Sequence, residues 1–168
     1  MTESLGDKMK TYERAQRNWL TPRCYNILRV DGKAFHSLTS WMEKPFALNF
    51  MQVMDNTAIS LCKEIQGAKL AYVQSDEISV LFTDLDTIHT NLWFDGCQNK
   101  IESISASVAA TNFNENFRVI YNGKLSNANF DSRVIQLPDL MEVHNYFVWR
   151  QKDWERNSLQ MLARSHYS

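Results

Sequence analysis

Two hydrophobic periods alternate along this chain, and the places where one gives way to the other predict its elements. From Leu5 to about Trp19, scattered apolar residues in a polar background predict an amphipathic helix that ends before Thr21-Pro22. Cys24 to Val30 is a short apolar run closed by Asp31-Gly32, the signature of a strand. From Leu48 to Gln66 the period changes. Met51, Met54, Ala58, Leu61 and Ile65 recur at spacings of three and four, and Gly67 stands where such a helix stops. Lys69 to Val73 and Ile78 to Phe82 return to strand character on either side of Gln74-Ser75-Asp76-Glu77, which predicts a hairpin. A second long helix is expected from Gln98 to about Asn114, with Ile101, Ile104, Val108 and Thr111 inward. Its small residues, among them Ser105 and Ala109, suit close packing on a sheet. Tyr121 to Asn129, rich in Asn and Gly, is a loop; Ser132 to Leu137 is a fourth strand; Pro138 opens a last helix towards Arg164.

The resulting order is strand, helix, strand, strand, helix, strand. It is the α+β ferredoxin-like arrangement, an antiparallel sheet with helices packed on it, also used by polymerase palms and nucleotidyl cyclases. We expect residues 1–137 to form this palm with its N-terminal helix, and residues 138–168 to form a C-terminal helical segment. In that topology the first and third strands are central, adjacent and antiparallel, so the end of the first abuts the start of the third. Asp31 follows the first strand and Asp76 precedes the third, so the two carboxylates are expected to converge. Each alone is an ordinary turn residue. Together they are what two Mg²⁺ ions need in order to handle a nucleoside triphosphate.

Composition narrows the partners. With 168 residues, 18 Lys+Arg and 19 Asp+Glu, the chain is of single-domain size and has no global basic field, so any nucleic acid must be held by a local patch. Lys8, Lys10, Arg14, Arg17 and Arg23 supply one, whereas Asp76 to Glu102 is acidic. Cys24, Cys62 and Cys97 form no CxxC, and His36, His89, His144 and His166 are scattered, which argues against a zinc site or a disulfide framework. No apolar run approaches the roughly 20 residues of a membrane span. Met1-Thr2-Glu3-Ser4 lacks the features of a signal peptide. A cytoplasmic setting is the expectation.

Other residues around the two carboxylates carry chemistry of their own. Gly32, lacking a side chain, would let a phosphate or metal approach its carbonyl. Lys33-Ala34-Phe35-His36 would present successive backbone N–H groups and a cation to a triphosphate; Lys44 is a further candidate phosphate contact, or else a solvated lysine. On the last helix Val143, Tyr146, Phe147, Arg150, Asp153, Trp154, Asn157 and Met161 share one face. Charges on so apolar a stripe need partners. Arg150 and Asp153 either clasp each other across one turn or line a functional groove.

At these residues the chain resembles the tRNA-histidine guanylyltransferase superfamily, the 3′-to-5′ nucleotide-adding enzymes. The similarity rests on Arg29-Val30-Asp31-Gly32-Lys33-Ala34-Phe35-His36, Lys44-Pro45, Tyr72-Val73-Gln74-Ser75-Asp76-Glu77, Phe130-Asp131-Ser132-Arg133-Val134 and Trp149-Arg150-Gln151-Lys152-Asp153, in family order. The resemblance implies a palm-type nucleotidyltransferase with two Mg²⁺ ions, ATP and GTP or other nucleoside triphosphates as substrates, and the 5′ end of tRNA as partner. It makes Asp31 and Asp76 the catalytic metal carboxylates and Gly32 a carbonyl ligand to the metal. Asp31, Gly32, Lys33, Ala34, Phe35, His36, Ser75 and Asp76 become the triphosphate site, and Lys44 a lysine tied to activation of the RNA 5′ end. Homo-oligomerisation is implied as well.

Two departures bear on substrate. Where the histidine-specific eukaryotic enzymes carry His-Ile-Asn-Asn, this chain has Trp154-Glu155-Arg156-Asn157-Ser158, similar to the Thg1-like branch of template-dependent 5′-end repair proteins. The chain also ends at Ser168, where the family continues through a further C-terminal segment. The residues leave several readings open: 5′-end repair, tRNA-histidine-specific guanylyl transfer, a nucleotide cyclase-like palm, or a non-catalytic RNA-binding subunit.

Overall fold

The computed structural model describes residues 4–167, apart from the side chains of residues 166 and 167; Met1 to Glu3, on which the leader expectation rests, lie outside it. In chain order the elements are α1 (Leu5–Ala15), β1 (Tyr25–Gly32), α2 (Phe35–Leu38), α3 (Leu48–Glu64), β2 (Ala68–Gln74), β3 (Glu77–Phe82), a 3₁₀ turn (Trp93–Gly96), α4 (Gln98–Ile120), β4 (Phe130–Leu137) and α5 (Leu140–Tyr167). The strands form one sheet in the order β2-β3-β1-β4, with every neighbouring pair antiparallel. This is the α+β architecture that the order of elements predicts.

Strand alternation divides the sheet into two unlike faces. Leu28 and Val30 of β1 and Ile78, Val80 and Phe82 of β3 face α3 and α4, and there they join Val53, Met54, Leu61, Ile101, Phe113 and Phe117 in the main core. The opposite face is covered by α5. At one end Ile27 and Leu81 meet Val143 and Tyr146 in a second small cluster. Ser79 and Tyr146 share a 2.8 Å hydrogen bond between hydroxyls there. At the other end the same alternation places Arg29, Asp31 and Glu77, all polar, on the α5 face.

Several boundaries and faces differ from the sequence pattern. The first helix stops at Ala15; Trp19 instead makes an isolated bridge with Cys97. On α3, Met54, Ala58, Leu61 and Ile65 are buried as expected, but Met51 is exposed, and Phe50, Val53 and Thr57 widen the inward stripe on one side. On α4, Ile104 and Thr111 face solvent and Val108 is only half-buried. The inward line is Ile101, Ser105, Ala109, Phe113 and Phe117, at a uniform spacing of four. Small residues occupy two of those positions because the helix lies close to β4, where the Ser105 hydroxyl bonds that of Ser132 at 2.8 Å. α5 begins at Leu140 rather than at Pro138, because Asp139 caps it: its carboxylate accepts from the Glu142 amide at 2.9 Å. Among the described residues no helix is long and apolar enough to cross a membrane.

Candidate active site

The end of β1 and the start of β3 meet as the topology requires. Asp31 stands opposite Glu77 in the antiparallel register, and the Gly32 amide donates to the Asp76 carbonyl at 3.1 Å. Ser75, with φ at 54°, makes the left-handed step that turns β2 into β3 and leaves Asp76 at the corner. Asp31 and Asp76 line the same cavity of about 630 Å³. The Asp76 carboxyl is held above the ordinary carboxylate range, chiefly by burial. Its own backbone amide pulls it down, the neighbouring Asp31 charge pushes it up, and the Ser75 hydroxyl pulls it down a little.

The stretch after Asp31 is shaped by packing as much as by the cavity. A Cβ on Gly32 would come within 2.4 Å of the Phe35 ring, so the absent side chain makes room for that ring. Phe35 is buried, its centroid 5.1 Å from those of both Phe113 and Phe130. Ala34, with φ at 58°, turns the chain into α2. The Lys33 amide is taken by the Asn129 carbonyl at 2.9 Å. Among the described residues no protein acceptor takes the amides of Ala34, Phe35 or His36.

Of the residues singled out in the sequence, the cavity brings together Asp31, Phe35, His36, Lys44, Ser75 and Asp76; Gly32, Lys33 and Ala34 follow Asp31 in the chain but do not line it, and Lys33 and Ala34 are exposed. Lys44 comes from the α2–α3 loop, which also supplies Met42 and Phe46. Met51 and Met54 of α3 continue that apolar side. The opposite side is α5, through Arg150, Asp153, Asn157 and Ser158.

Glu77 is the residue that sequence reasoning missed. It is 9% exposed and faces Arg150, itself 6% exposed, with the guanidinium Nη1 3.1 Å from Oε2. Arg29 Nε lies 3.7 Å from the same oxygen, within ion-pair range but beyond a hydrogen bond. Burial raises the Glu77 carboxyl; Arg150 and then Arg29 oppose that rise, and Asp31 adds to it. Arg150 also reaches Asp153 at 3.8 Å, and Asp153 pairs with Arg156 and accepts weakly from Gln74 at 3.5 Å. The clasp and the groove are therefore the same residues: Arg150 and Asp153 pair with each other and line the cavity. The lone buried charges on the α5 stripe were the available signal, but their partner is 73 residues away and invisible to helical spacing.

Among the described residues no three His, Cys, Asp or Glu side chains are grouped to hold a metal. Of the three carboxylates at the strand ends, Glu77 is paired with Arg150 and Arg29, which leaves those of Asp31 and Asp76, and this all-oxygen set suits a hard divalent cation completed by backbone, water or nucleotide oxygens. The like-charge repulsion that raises Asp76 is what such a cation would relieve. The residues present therefore fit Mg²⁺.

A family model described as tRNAHis guanylyltransferase matches residues 6–138. An uncharacterized protein of Acanthamoeba polyphaga mimivirus is 31% identical, over 97% of this chain and 63% of its own length. The tRNA(His) guanylyltransferase of Debaryomyces hansenii is 31% identical, over 95% of this chain and 60% of its own. The chain thus spans less than two thirds of these curated relatives. Among solved structures, a bacterial tRNA(His) guanylyltransferase-like protein in complex with GTP superposes with a TM-score of 0.92. It is 44% identical, over 98% of this chain and 78% of that one.

Proposed function

The chain belongs to the tRNAHis guanylyltransferase family, and on that premise we propose that it is a Mg²⁺-dependent nucleotidyltransferase that repairs tRNA 5′ ends by templated 3′-to-5′ addition. The observation that carries this reading is the convergence of Asp31 and Asp76 on one cavity from adjacent strand ends. Residues 1–137 would be the catalytic palm and residues 138–168 the helical wall that closes one side of the site. A cytoplasmic setting belongs to the same reading, and Cys24, Cys62 and Cys97, all unpaired, are compatible with it.

In this mechanism a 5′-phosphate oxygen of the RNA attacks the α-phosphorus of ATP, and pyrophosphate leaves. The 3′-hydroxyl of an incoming nucleotide then attacks the activated 5′-phosphorus, and AMP leaves. Asp31 and Asp76, with the Gly32 carbonyl, would hold Mg²⁺, which when bound supplies Lewis-acid activation of the hydroxyl and neutralises the triphosphate. The amides of Ala34, Phe35 and His36 and the Ser75 hydroxyl would receive phosphate oxygens, because hydrogen-bond donors at a chain reversal favour anions. Lys44, on the facing loop, would orient the phosphate to be activated, and Met42, Phe46, Met51 and Met54 offer an apolar face to a base.

The bacterial tRNA(His) guanylyltransferase-like protein is in complex with GTP, and such a protein in complex with ATP is 45% identical to this chain. Both nucleotides are the substrates proposed here. Asn157 and Ser158 line the cavity; the resemblance sets them against the paired asparagines of the histidine-specific enzymes, which supports general repair over histidine specificity. The test is incubation with a 5′-truncated tRNA, ATP, α-labelled nucleotides and Mg²⁺. Label at the RNA 5′ end following the opposite strand supports the reading. A cyclic nucleotide product, or RNA binding without transfer, overturns it.

A further inference from the structure

Two segments meet beside the cavity and carry an aromatic and cationic cluster that nucleotide transfer does not use. Trp41, between α2 and α3, is 48% exposed. Its ring lies 5.4 Å from that of Tyr121, just past the end of α4, and Lys124 Nζ stands 3.1 Å from its centroid. Tyr121 in turn stacks on the core residue Phe117 at 4.4 Å, and its hydroxyl donates to the Met42 sulfur at 3.6 Å. Met42, next in the chain to Trp41, lines the cavity, so the exposed ring stands at the rim. The same two segments are tied again where the Lys33 amide donates to the Asn129 carbonyl at 2.9 Å.

We propose that this cluster is a stacking platform for the unpaired 3′ strand of an RNA whose 5′ end is recessed, an inference that rests on the repair function. Such a substrate is single-stranded opposite its missing 5′ nucleotides, and the bases there have lost their partners. An exposed Trp offers a π-face to any base, a tolerance that suits a strand whose sequence varies between substrates. Charge points the same way. Residues 33–46 and 121–129 contain Lys33, Lys44 and Lys124 against the single carboxylate Glu43. All three lysines are exposed, and none has an ion-pair partner among the described residues. An arriving base would take the place of the ammonium on the ring, and Lys124 would then meet the phosphate that comes with the base.

Position supplies a further reason. The segment that follows α1 and its cations is anchored at the start of α4, where the Gln98 amide donates to the Asn18 carbonyl at 2.9 Å and the Asn18 amide to Asn99 Oδ1 at 3.0 Å. Trp41 and Tyr121 stand at the other end of that 23-residue helix, about 34 Å away at 1.5 Å per residue. A strand at the cavity rim therefore needs a contact of its own.

Fluorescence anisotropy with labelled RNA and no nucleotide tests this, so transfer plays no part in the readout. A blunt hairpin and the same stem with a recessed 5′ end are the probes. The wild-type chain should bind the recessed RNA about tenfold more tightly than the blunt one. Trp41→Ala should lose that preference, and Trp41→Phe should keep most of it. Lys124→Met should flatten the salt slope for the recessed RNA by about 0.7, a change that Trp41→Ala should not produce. A 2-aminopurine in the overhang should be quenched by the wild-type chain and much less by Trp41→Ala. Thermal melting and unchanged binding of the blunt hairpin would confirm that the variants fold. Equal binding of the two RNAs by the wild-type chain, or a Trp41→Ala variant that keeps both the preference and the quenching, would overturn the proposal. A wild-type chain that shows the preference yet never extends the RNA would support the platform and count against repair alone.

Discussion

The guanidinium of Arg150, on the last helix, lies 3.1 Å from the carboxylate of Glu77, the residue that follows Asp76 in the chain. Both side chains are buried, and the pair joins α5 to the strand end that carries the catalytic candidate. Arg150 also stacks on Trp149, its guanidinium carbon 3.6 Å from the ring centroid. The helix that walls the cavity is therefore fixed to the sheet by charge at the carboxylate hairpin as well as by the packing of Val143 and Tyr146 on Ile27 and Leu81.

Arg150→Met should destabilise the fold by about 3–5 kcal/mol near neutral pH, because it leaves Glu77 buried with only the more distant Arg29. The loss should shrink on acidification. Glu77 already has a raised carboxyl, and removing Arg150 raises it further. A raised carboxyl favours the folded state below its unfolded value and loses that contribution as pH rises through the folded one. Urea unfolding at about pH 7.5 and about pH 5 checks the sign. Equal losses at both would mean that Arg150 acts through packing alone.

This relationship marks where the sequence stops being legible. Asp31 and Asp76 can be found from the order of elements, since strand adjacency follows from topology and both lie within two residues of a strand end. Glu77 alternates into a strand of otherwise ordinary appearance, and nothing local announces that Arg29 and Arg150 will meet it. α2 is missed because four residues are too few to show a period. The inward face of α4 is misplaced because Ser105 and Ala109, chosen for close approach, carry less apolar signal than the exposed Ile104.

Asp76→Asn should abolish nucleotide transfer yet stabilise the metal-free chain at neutral pH. The wild-type carboxyl is raised by burial and by Asp31, so its ionisation disfavours the fold. The sign gives a window: wild type and variant should melt close together near pH 4, and the variant's advantage should grow as pH rises from there and be complete above the raised value. Thermal melts in chelator across that range measure it, and added Mg²⁺ should raise the wild type more than the variant. A variant that transfers normally in Mg²⁺ would reduce Asp76 to a turn former.

Gly32→Ala should cost about 1–3 kcal/mol, because the added methyl would sit 2.4 Å from the Phe35 ring. The ring is held among Phe50, Phe113 and Phe130, so it can give way only towards the cavity that it lines. Combining Gly32→Ala with Phe35→Leu should recover part of the loss, a coupling that denaturant titration of the four variants would read. Strict additivity would show that the glycine is there for some reason other than the ring.

The last expectation concerns which RNA is extended. Asn157 and Ser158 stand at the cavity wall; if they occupy the place of the paired asparagines of the histidine-specific enzymes, the chain lacks that branch's recognition element. Base pairing with the opposite strand would then choose each added nucleotide, and the protein need only hold the acceptor stem by its backbone. Lys10, Arg14 and Arg17, on or just after α1, are exposed and suited to that task. Because such contacts release counterions, binding should weaken steeply as salt rises, and each of these cations replaced by Ala should flatten the slope by about 0.7–0.9. The comparison that decides is full-length tRNA-histidine against a 5′-truncated tRNA of another identity at one salt concentration. Extension of the truncated tRNA, with added bases complementary to the opposite strand, supports general repair. Preference for tRNA-histidine, with addition indifferent to the opposing base, would return the chain to the histidine-specific branch.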